Sequence, residues 1–224
     1  MVNNIETPWS TVGYLTYKRT YSRPIEGSER TEEFKETVQR VLDATDEQLE
    51  VGFTLDEKER LRRYLLGLKG SVAGRFWWQL GTKTVDKLGL ASLQNCAFTV
   101  IDHPIRPFCW AMDMLALGSG VGYNLQSKHV NKLPVVRDWF QAPKRVDNGG
   151  ADFIIPDSRE GWVKFLGKTL KAAFLSDSIE KGTFTYSTQV IRGKGSPIKG
   201  FGGVASGPED LCWGIDKISE ILMA

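Results

Sequence analysis

The sequence predicts an α/β protein with a helical lead-in. Helical spacing of apolar residues dominates the first third of the chain, and short strand-like runs alternate with helices after it. Two segments indicate strands. Residues 96–101 are mostly apolar and predict a buried strand that ends in a turn, and residues 184–186 predict a strand in which aromatic and small polar side chains alternate. We therefore expect a mainly helical region over residues 1–90 and an α/β region over residues 91–224.

Caps and apolar spacing predict the helices of the first region. Thr31 is the expected cap of a helix with one apolar face, formed by Phe34, Val38, Val41 and Leu42. Thr54 and Glu57 have the spacing of a capping box, so a second helix is expected to begin there and to end at Gly70.

Proline and capping residues also indicate where helices begin in the second region. Pro107 opens a predicted helix that runs to Leu117 and is closed by the glycine-rich run GSGVG. Asp157 with Glu160 indicates the start of another helix. The intervening residues 127–150 lack a clear period and predict a loop, with a short edge strand at residues 135–136.

The last helix is predicted from a capping box formed by Ser206 and Glu209, with a proline in the first turn. It presents a stripe of apolar residues: Leu211, Ile215, Ile218 and Leu222. Because this stripe lies at the end of the chain, we expect another segment or another protein to cover it. The alternative is that the stripe belongs to the core of its own domain.

Composition excludes several classes of protein. With 29 basic and 27 acidic residues the net charge is +2, too small for a chain that grips a nucleic-acid backbone. Three cysteines without a CxxC pair do not suit a secreted disulfide framework. The sequence shows neither a signal peptide nor a membrane span, so we expect a cytoplasmic protein with no membrane partner.

The residues alone leave the chemistry open. The glycine-rich loop over residues 200–209 has the character of an anion site at a helix start, but an ordinary capped turn explains it as well. Cys96, His103 and Cys109 make a poor zinc pattern, so no metal site is predicted, and His103 is expected to face solvent. Cys96 is either a small buried hydrophobe or a thiol that faces a cavity, since polar residues lead into it at a strand start.

Six segments resemble, in order, the monomeric type of adenosylcobalamin-dependent (class II) ribonucleoside triphosphate reductase. They are YKRTYSR from Tyr17, GRFWWQLGT from Gly74, LQNC from Leu93, DHPIRPFCWAMDMLALGSGVGY from Asp102, PDSREGW from Pro156, and PIKGFGGVASGP from Pro197. The resemblance spans nearly the whole chain and implies the N-terminal part of such an enzyme. The implied fold is a helical N-terminal region followed by the first part of an α/β barrel, which is incomplete here.

The resemblance implies roles for particular residues. Cys96 falls on one cysteine of the thiol pair that reduces the ribose. The positions implied for the substrate are Asn95, Thr82, Ser206 and Gly207, and those implied for a deoxynucleotide effector are Ser158 and Arg159. The loop over residues 193–203 is implied in relaying which base is chosen. A thioredoxin-like reductant and adenosylcobalamin, bound mainly by other segments, complete the expected system.

The chain departs from the family in its length. The radical cysteine, the second thiol of the pair and the cobalamin-binding region are expected downstream, in a C-terminal segment or a second polypeptide, so the chain alone is expected to be inactive. Two hypotheses remain: one part of a reductase, or a nucleotide-binding or regulatory module that has kept the fold and lost the reaction.

Overall fold

A computed structural model of the chain describes residues 7–175, 182–198 and 203–224. The chain divides into two compact units, Met1–Gln94 and Asn95–Ala224. Among the described residues, no helix is both long and apolar enough to cross a membrane.

In the described part of the first unit, regular secondary structure is helical apart from one isolated bridge. Its helices are α1 (Thr11–Thr20), α2 (Phe34–Gln48), α3 (Leu55–Leu66), α4 (Gly74–Gln79) and α5 (Lys83–Leu88), followed by a 3-10 turn at Leu90–Leu93. Helix α3 begins at the predicted capping box, where the Thr54 side chain accepts a hydrogen bond from the backbone N–H of Glu57 at 3.3 Å. It ends at Leu66 with Gly67 as its C-cap, three residues before the predicted C-cap at Gly70, and Leu68 already has a positive φ of 51°.

The predicted cap of α2 at Thr31 is wrong. Thr31 pairs with Pro24 in an isolated antiparallel bridge, so its backbone is extended, and the helix is capped by Glu33. The Glu36 carboxylate accepts a hydrogen bond from the Glu33 N–H at 2.8 Å. The neighbouring Glu32 is buried and paired with Arg40 through a Nε–Oε1 contact of 2.7 Å, which fixes the entry to the helix.

Short strands and helices alternate in the second unit. Its elements are β1 (Cys96–Val100), α6 (Arg106–Ala116), β2 (Gly120–Asn124), α7 (Ser127–Val130), β3 (Lys144–Arg145), β4 (Phe153–Ile154), α8 (Arg159–Phe174), β5 (Thr185–Ser187) and α9 (Glu209–Met223). Strand β1 pairs with β2 in parallel, and a second parallel sheet has the order β3-β5-β4. The α/β class predicted from the sequence is confirmed.

The glycine-rich run after α6 does more than close the helix. Gly118, at φ 84°, donates to the carbonyl of Leu115 at 2.8 Å, and Ser119 donates to that of Met114 at 2.9 Å. These two bonds form a Schellman motif, as predicted for a helix end. The chain then enters β2 at once. This strand was not predicted from the sequence, because its two glycines have low strand propensity.

One glycine of β2 makes room for an aromatic side chain of the neighbouring strand β1. Gly122 pairs with Phe98, and a Cβ atom at Gly122 would lie 3.0 Å from the Phe98 ring. The glycine thus leaves room for the aromatic ring of the neighbouring strand, a pairing that offsets the weak strand propensity of glycine.

The region predicted as a loop with an edge strand at residues 135–136 is different in detail. Val135 is 88% exposed and lies in no strand. The region instead contains the short helix α7 and strand β3, and strand β4 follows just after it. They were missed because each is only two residues long and is defined by pairing with β5, which lies more than thirty residues away.

The apolar stripe of α9 belongs to the core of its own unit. Leu211 and Ile215 are buried, and Ile218 and Leu222 pack against the same cluster, which is built around Phe165 of α8. The prediction that another segment covers this stripe is therefore wrong. The capping box predicted at Ser206 is absent too: the Ser206 hydroxyl donates to the Gly207 carbonyl at 3.2 Å, and the helix is capped by Pro208.

Candidate functional site

Cys96 is the first residue of β1, and its side chain is exposed. Its neighbour in the sheet is Gly120, which has no side chain to cover the thiol. Asn95 is also exposed, and its backbone carbonyl accepts a hydrogen bond from the Gly120 N–H at 2.9 Å. The backbone at this thiol is therefore fixed by the sheet while the sulfur stays accessible.

Strand β1 was expected to be buried, and this expectation is wrong. Phe98 is 62% exposed and Tyr123, on β2, is 44% exposed. Parallel strands are normally covered on both faces. Among the described residues, β1 pairs only with β2, and α6 packs against both strands. Side chains on the rest of this two-stranded sheet are therefore exposed.

An open cavity of about 640 Å³ lies where β1 ends and α6 begins. Its polar lining is Asp102, His103 and Arg106, and its apolar lining includes Phe98 and Trp110. In open α/β sheets, ligands bind beyond the carboxyl ends of the strands, which is where this cavity lies. No ligand was predicted at these residues from the sequence, although their position directly after a predicted strand indicates a possible site.

His103 is not simply a solvent-facing residue, as predicted, but is half-buried. Its Nδ1 accepts hydrogen bonds from the backbone N–H groups of Ile105 at 3.1 Å and Arg106 at 3.2 Å. His103 therefore caps the start of α6, using a ring nitrogen that must be unprotonated to accept. This role helps to fix the wall of the cavity.

The other two thiols are engaged in packing. Cys109, on α6, is half-buried with its sulfur 3.8 Å from the Val163 carbonyl of α8. Cys212 is buried on α9, and Arg145 points a guanidinium nitrogen at its sulfur from 3.9 Å. Burial raises the pKa of both thiols, so neither is activated as a thiolate.

The residues implied in substrate binding fall in different places. Thr82 belongs to the first unit, where its hydroxyl donates to the Gln79 carbonyl at 2.7 Å and accepts from the Thr84 N–H at 3.3 Å, so it caps α5. Ser206 and Gly207 precede α9 in the second unit, and Gly207 has a φ of 81°. Part of the glycine-rich loop, residues 199–202, lies outside the described residues.

The PDSREGW segment forms the start of α8. Ser158 is its N-cap and accepts a hydrogen bond from the Gly161 N–H at 3.0 Å. The chain approaches itself so closely here that a Cβ atom at Gly161 would lie 2.5 Å from the Pro156 carbonyl oxygen. The turn therefore requires glycine at this position.

Arg159 ties this turn to the neighbouring helix. One of its guanidinium nitrogens lies 3.4 Å from Asp113 of α6 and another lies 2.8 Å from Glu160. Just before the helix, Asp157 accepts a hydrogen bond from Arg192 Nε at 2.7 Å. Across the described ranges, no cluster of three or more His, Cys, Asp or Glu side chains could hold a metal ion.

Two family models match the sequence. Residues 1–82 match the ribonucleotide reductase alpha domain, and residues 129–222 match the insertion domain of B12-dependent ribonucleotide reductase.

Curated relatives agree with these matches. The adenosylcobalamin-dependent ribonucleoside-triphosphate reductase of Levilactobacillus brevis is 30% identical over 96% of this chain and 36% of its own length. A probable enzyme of the same name from Dictyostelium discoideum is 33% identical over 94% of this chain and 30% of its own length. The chain thus spans about a third of the length of the relatives it matches.

A solved structure extends the likeness to three dimensions. The crystal structure of a B12-dependent (class II) ribonucleotide reductase superposes with a TM-score of 0.81 and 27% identity, over 97% of this chain and 38% of that chain. The motifs, the family models and the fold agree, and the chain therefore belongs to the adenosylcobalamin-dependent (class II) ribonucleotide reductases, of which it represents the N-terminal part.

Proposed function

We propose that the chain is one part of an enzyme that converts ribonucleotides to 2′-deoxyribonucleotides, and that Cys96 supplies one of the two reducing thiols. The observation that carries this proposal is the position of Cys96: an accessible thiol at the first residue of a parallel strand, within the LQNC motif that the resemblance assigns to the redox pair. A reducing thiol has to reach the substrate, and of the three cysteines Cys96 alone is exposed.

The chemistry explains why a thiol is needed at such a position. Replacing the 2′-hydroxyl of the ribose by hydrogen releases water and consumes two electrons and two protons. Two thiols that form one disulfide release two electrons and two protons. Because Cys109 and Cys212 are held in helix packing, the second thiol must come from the remainder of the enzyme, as must the cysteine that carries the radical.

The nucleotide-binding residues are part of the same proposal. Asn95 lies beside the thiol, and we assign it to the substrate together with Thr82, Ser206 and Gly207. The backbone N–H groups before α9 lie at the positive end of a helix dipole, which suits a phosphate. Ser158 and Arg159 are assigned to the effector on the resemblance; Ser158 caps α8, and Arg159 contacts Asp113 of α6.

In enzymes of the same type as the relatives, bound adenosylcobalamin supplies a carbon-centred radical. The cavities of the second unit, about 640 and 440 Å³, have the size of nucleotide pockets. Neither cavity encloses a volume as large as a corrin ring with its nucleotide tail and adenosyl group. Most of the cofactor's binding surface is therefore assigned to other segments of the enzyme, and no step of its chemistry is assigned to this chain.

A reconstitution assay tests the proposal. Ribonucleotide reduction with adenosylcobalamin and a dithiol would be measured for the chain alone, and then with the polypeptide that supplies the remaining two thirds of the enzyme. We expect no turnover alone and turnover in the mixture. Nucleotide binding without turnover in the mixture would favour the second hypothesis, a regulatory module that has lost the reaction.

A further inference from the structure

The start of α6 depends on one side chain for its hydrogen bonds. Pro104 and Pro107 have no backbone N–H, so Ile105 and Arg106 carry the only backbone donors of this segment. The Nδ1 atom of His103 accepts from both, at 3.1 and 3.2 Å. Ile105, which occupies the N-cap position, makes no side-chain capping bond itself. The N–H groups that open α6 are therefore satisfied by a single imidazole nitrogen.

The first of these donors lies in a buried part of the unit. Ile105 is 7% exposed, and the two prolines, Pro104 and Pro107, are buried as well. A backbone N–H that loses its acceptor in such surroundings is costly, because water replaces the lost bond only if the chain opens. The contact with His103 therefore stabilises the closed arrangement of this turn.

The same contact cannot exist when the ring is protonated. A histidine ring accepts a hydrogen bond only through an unprotonated nitrogen, and both nitrogens of the charged ring are donors. A protonated Nδ1 would direct its hydrogen at two N–H groups, and the charge of the ring would lie at the positive end of the α6 dipole. Protonation of His103 and the capped start of α6 therefore exclude each other.

Two charged side chains line the same cavity as His103. The carboxylate of Asp102 attracts a charged ring, and the guanidinium group of Arg106 repels it. Among the described residues, the rest of the lining is uncharged and consists of Phe98, Thr99, Val100, Pro107 and Trp110. These opposing charges do not replace the two hydrogen bonds that a protonated ring would lose.

We propose that His103 is a pH-sensitive switch in the fold: the neutral ring closes the start of α6, and the protonated ring releases it. Histidine is the side chain that ordinarily changes its charge between about pH 5 and pH 8. The stabilisation is therefore complete at the alkaline end of this range and is lost as the pH falls through it. Because His103 and Arg106 line the cavity at the end of β1, the release also loosens a wall of that cavity. The proposal goes beyond the reductase reaction and does not depend on it, because it uses only contacts within this unit.

Hydrogen exchange of the Ile105 and Arg106 amides tests this switch in the full 224-residue chain, measured by NMR at about pH 5 and about pH 7.5. Division of each rate by that of an unstructured peptide at the same pH gives a protection factor. In the unaltered chain we expect protection to fall roughly fivefold at the lower pH, the usual effect of losing a helix cap. His103→Asn supplies a side-chain oxygen that accepts but does not titrate, so its protection should be the same at both pH values.

The matched control changes the other histidine of the chain. The Nδ1 atom of His129 has no hydrogen-bond partner among the described residues, so His129→Asn should leave the fivefold change intact. His103→Ala has no acceptor and should show low protection at both pH values. Circular dichroism checks that each variant is folded, and if His103→Ala does not fold, the comparison with His103→Asn decides.

A second measurement examines the ring itself. Long-range correlation spectra between ring hydrogens and ring nitrogens report which nitrogen carries the proton, and in the neutral ring of His103 it should be Nε2. The proposal is overturned if the proton of the neutral ring is on Nδ1, or if protection in the unaltered chain does not fall at the lower pH. It is equally overturned if His103→Asn keeps the pH dependence or if His129→Asn removes it.

Discussion

The packing of α9 gives a stability prediction that can be made quantitative. Ile215 is 2% exposed, and its side chain belongs to the core cluster of the second unit. Ile215→Ala removes three carbon atoms, and at about 0.8 kcal/mol for each buried methylene the loss of burial is about 2.4 kcal/mol. The cavity left behind raises the total to about 3–4 kcal/mol.

The matched control lies on the same helix. Ile221 is 75% exposed, so Ile221→Ala removes the same atoms from a position that is mostly in water. The lost burial is then below about 1 kcal/mol, and the better helix propensity of alanine offsets part of it. Urea denaturation of both variants, followed by circular dichroism, would give the two free energies of unfolding. Equal changes for Ile215→Ala and Ile221→Ala would refute the assignment of α9 to the core of its unit.

Three further predictions address the site and the two units. In the reconstituted enzyme, Cys96→Ser should abolish multiple turnover with a dithiol while nucleotide binding persists; full steady-state activity would contradict the assigned role. Gly161→Ala should destabilise the chain by about 1–3 kcal/mol in thermal unfolding, because the new methyl group meets backbone. Gly214→Ala, in an open position on α9, should instead stabilise it by about 0.5–1 kcal/mol, and the reasoning fails if both glycines respond alike. The Arg30 side chain holds the pKa of Glu36 at about 2, below its usual 4.5, so this contribution to stability is complete above pH 4.5 and is lost as the pH falls towards 2. Glu36→Gln should flatten that pH dependence, and an unchanged acid unfolding curve would count against the pairing.

The sequence predicted those features that depend on neighbouring residues. The capping box at Thr54, the helix opened by Pro107 and the Schellman glycine at Gly118 all follow from local chemistry, and the structure has them. What sequence reasoning missed depends on distant partners. Strands β3 and β4 exist only because β5 pairs with both, and the start of α2 depends on the extended pairing of residue 31 with residue 24.

The candidate site shows the same division. The LQNC motif identified Cys96, but its exposure and its pairing with Gly120 in the sheet follow from the tertiary structure, and no local pattern of the sequence indicates them. Motif reading located the residues, and tertiary packing determined what surrounds them.

The short connection between α6 and β2 gives the second unit a mechanical property. The connection consists of Leu117, Gly118 and Ser119, and the Schellman hydrogen bonds tie it to the last turn of the helix. So short a linker leaves little slack in which a displacement of α6 can be absorbed. A displacement of α6 relative to α8 is therefore expected to shift Gly120, the first residue of β2 and the residue paired with Cys96.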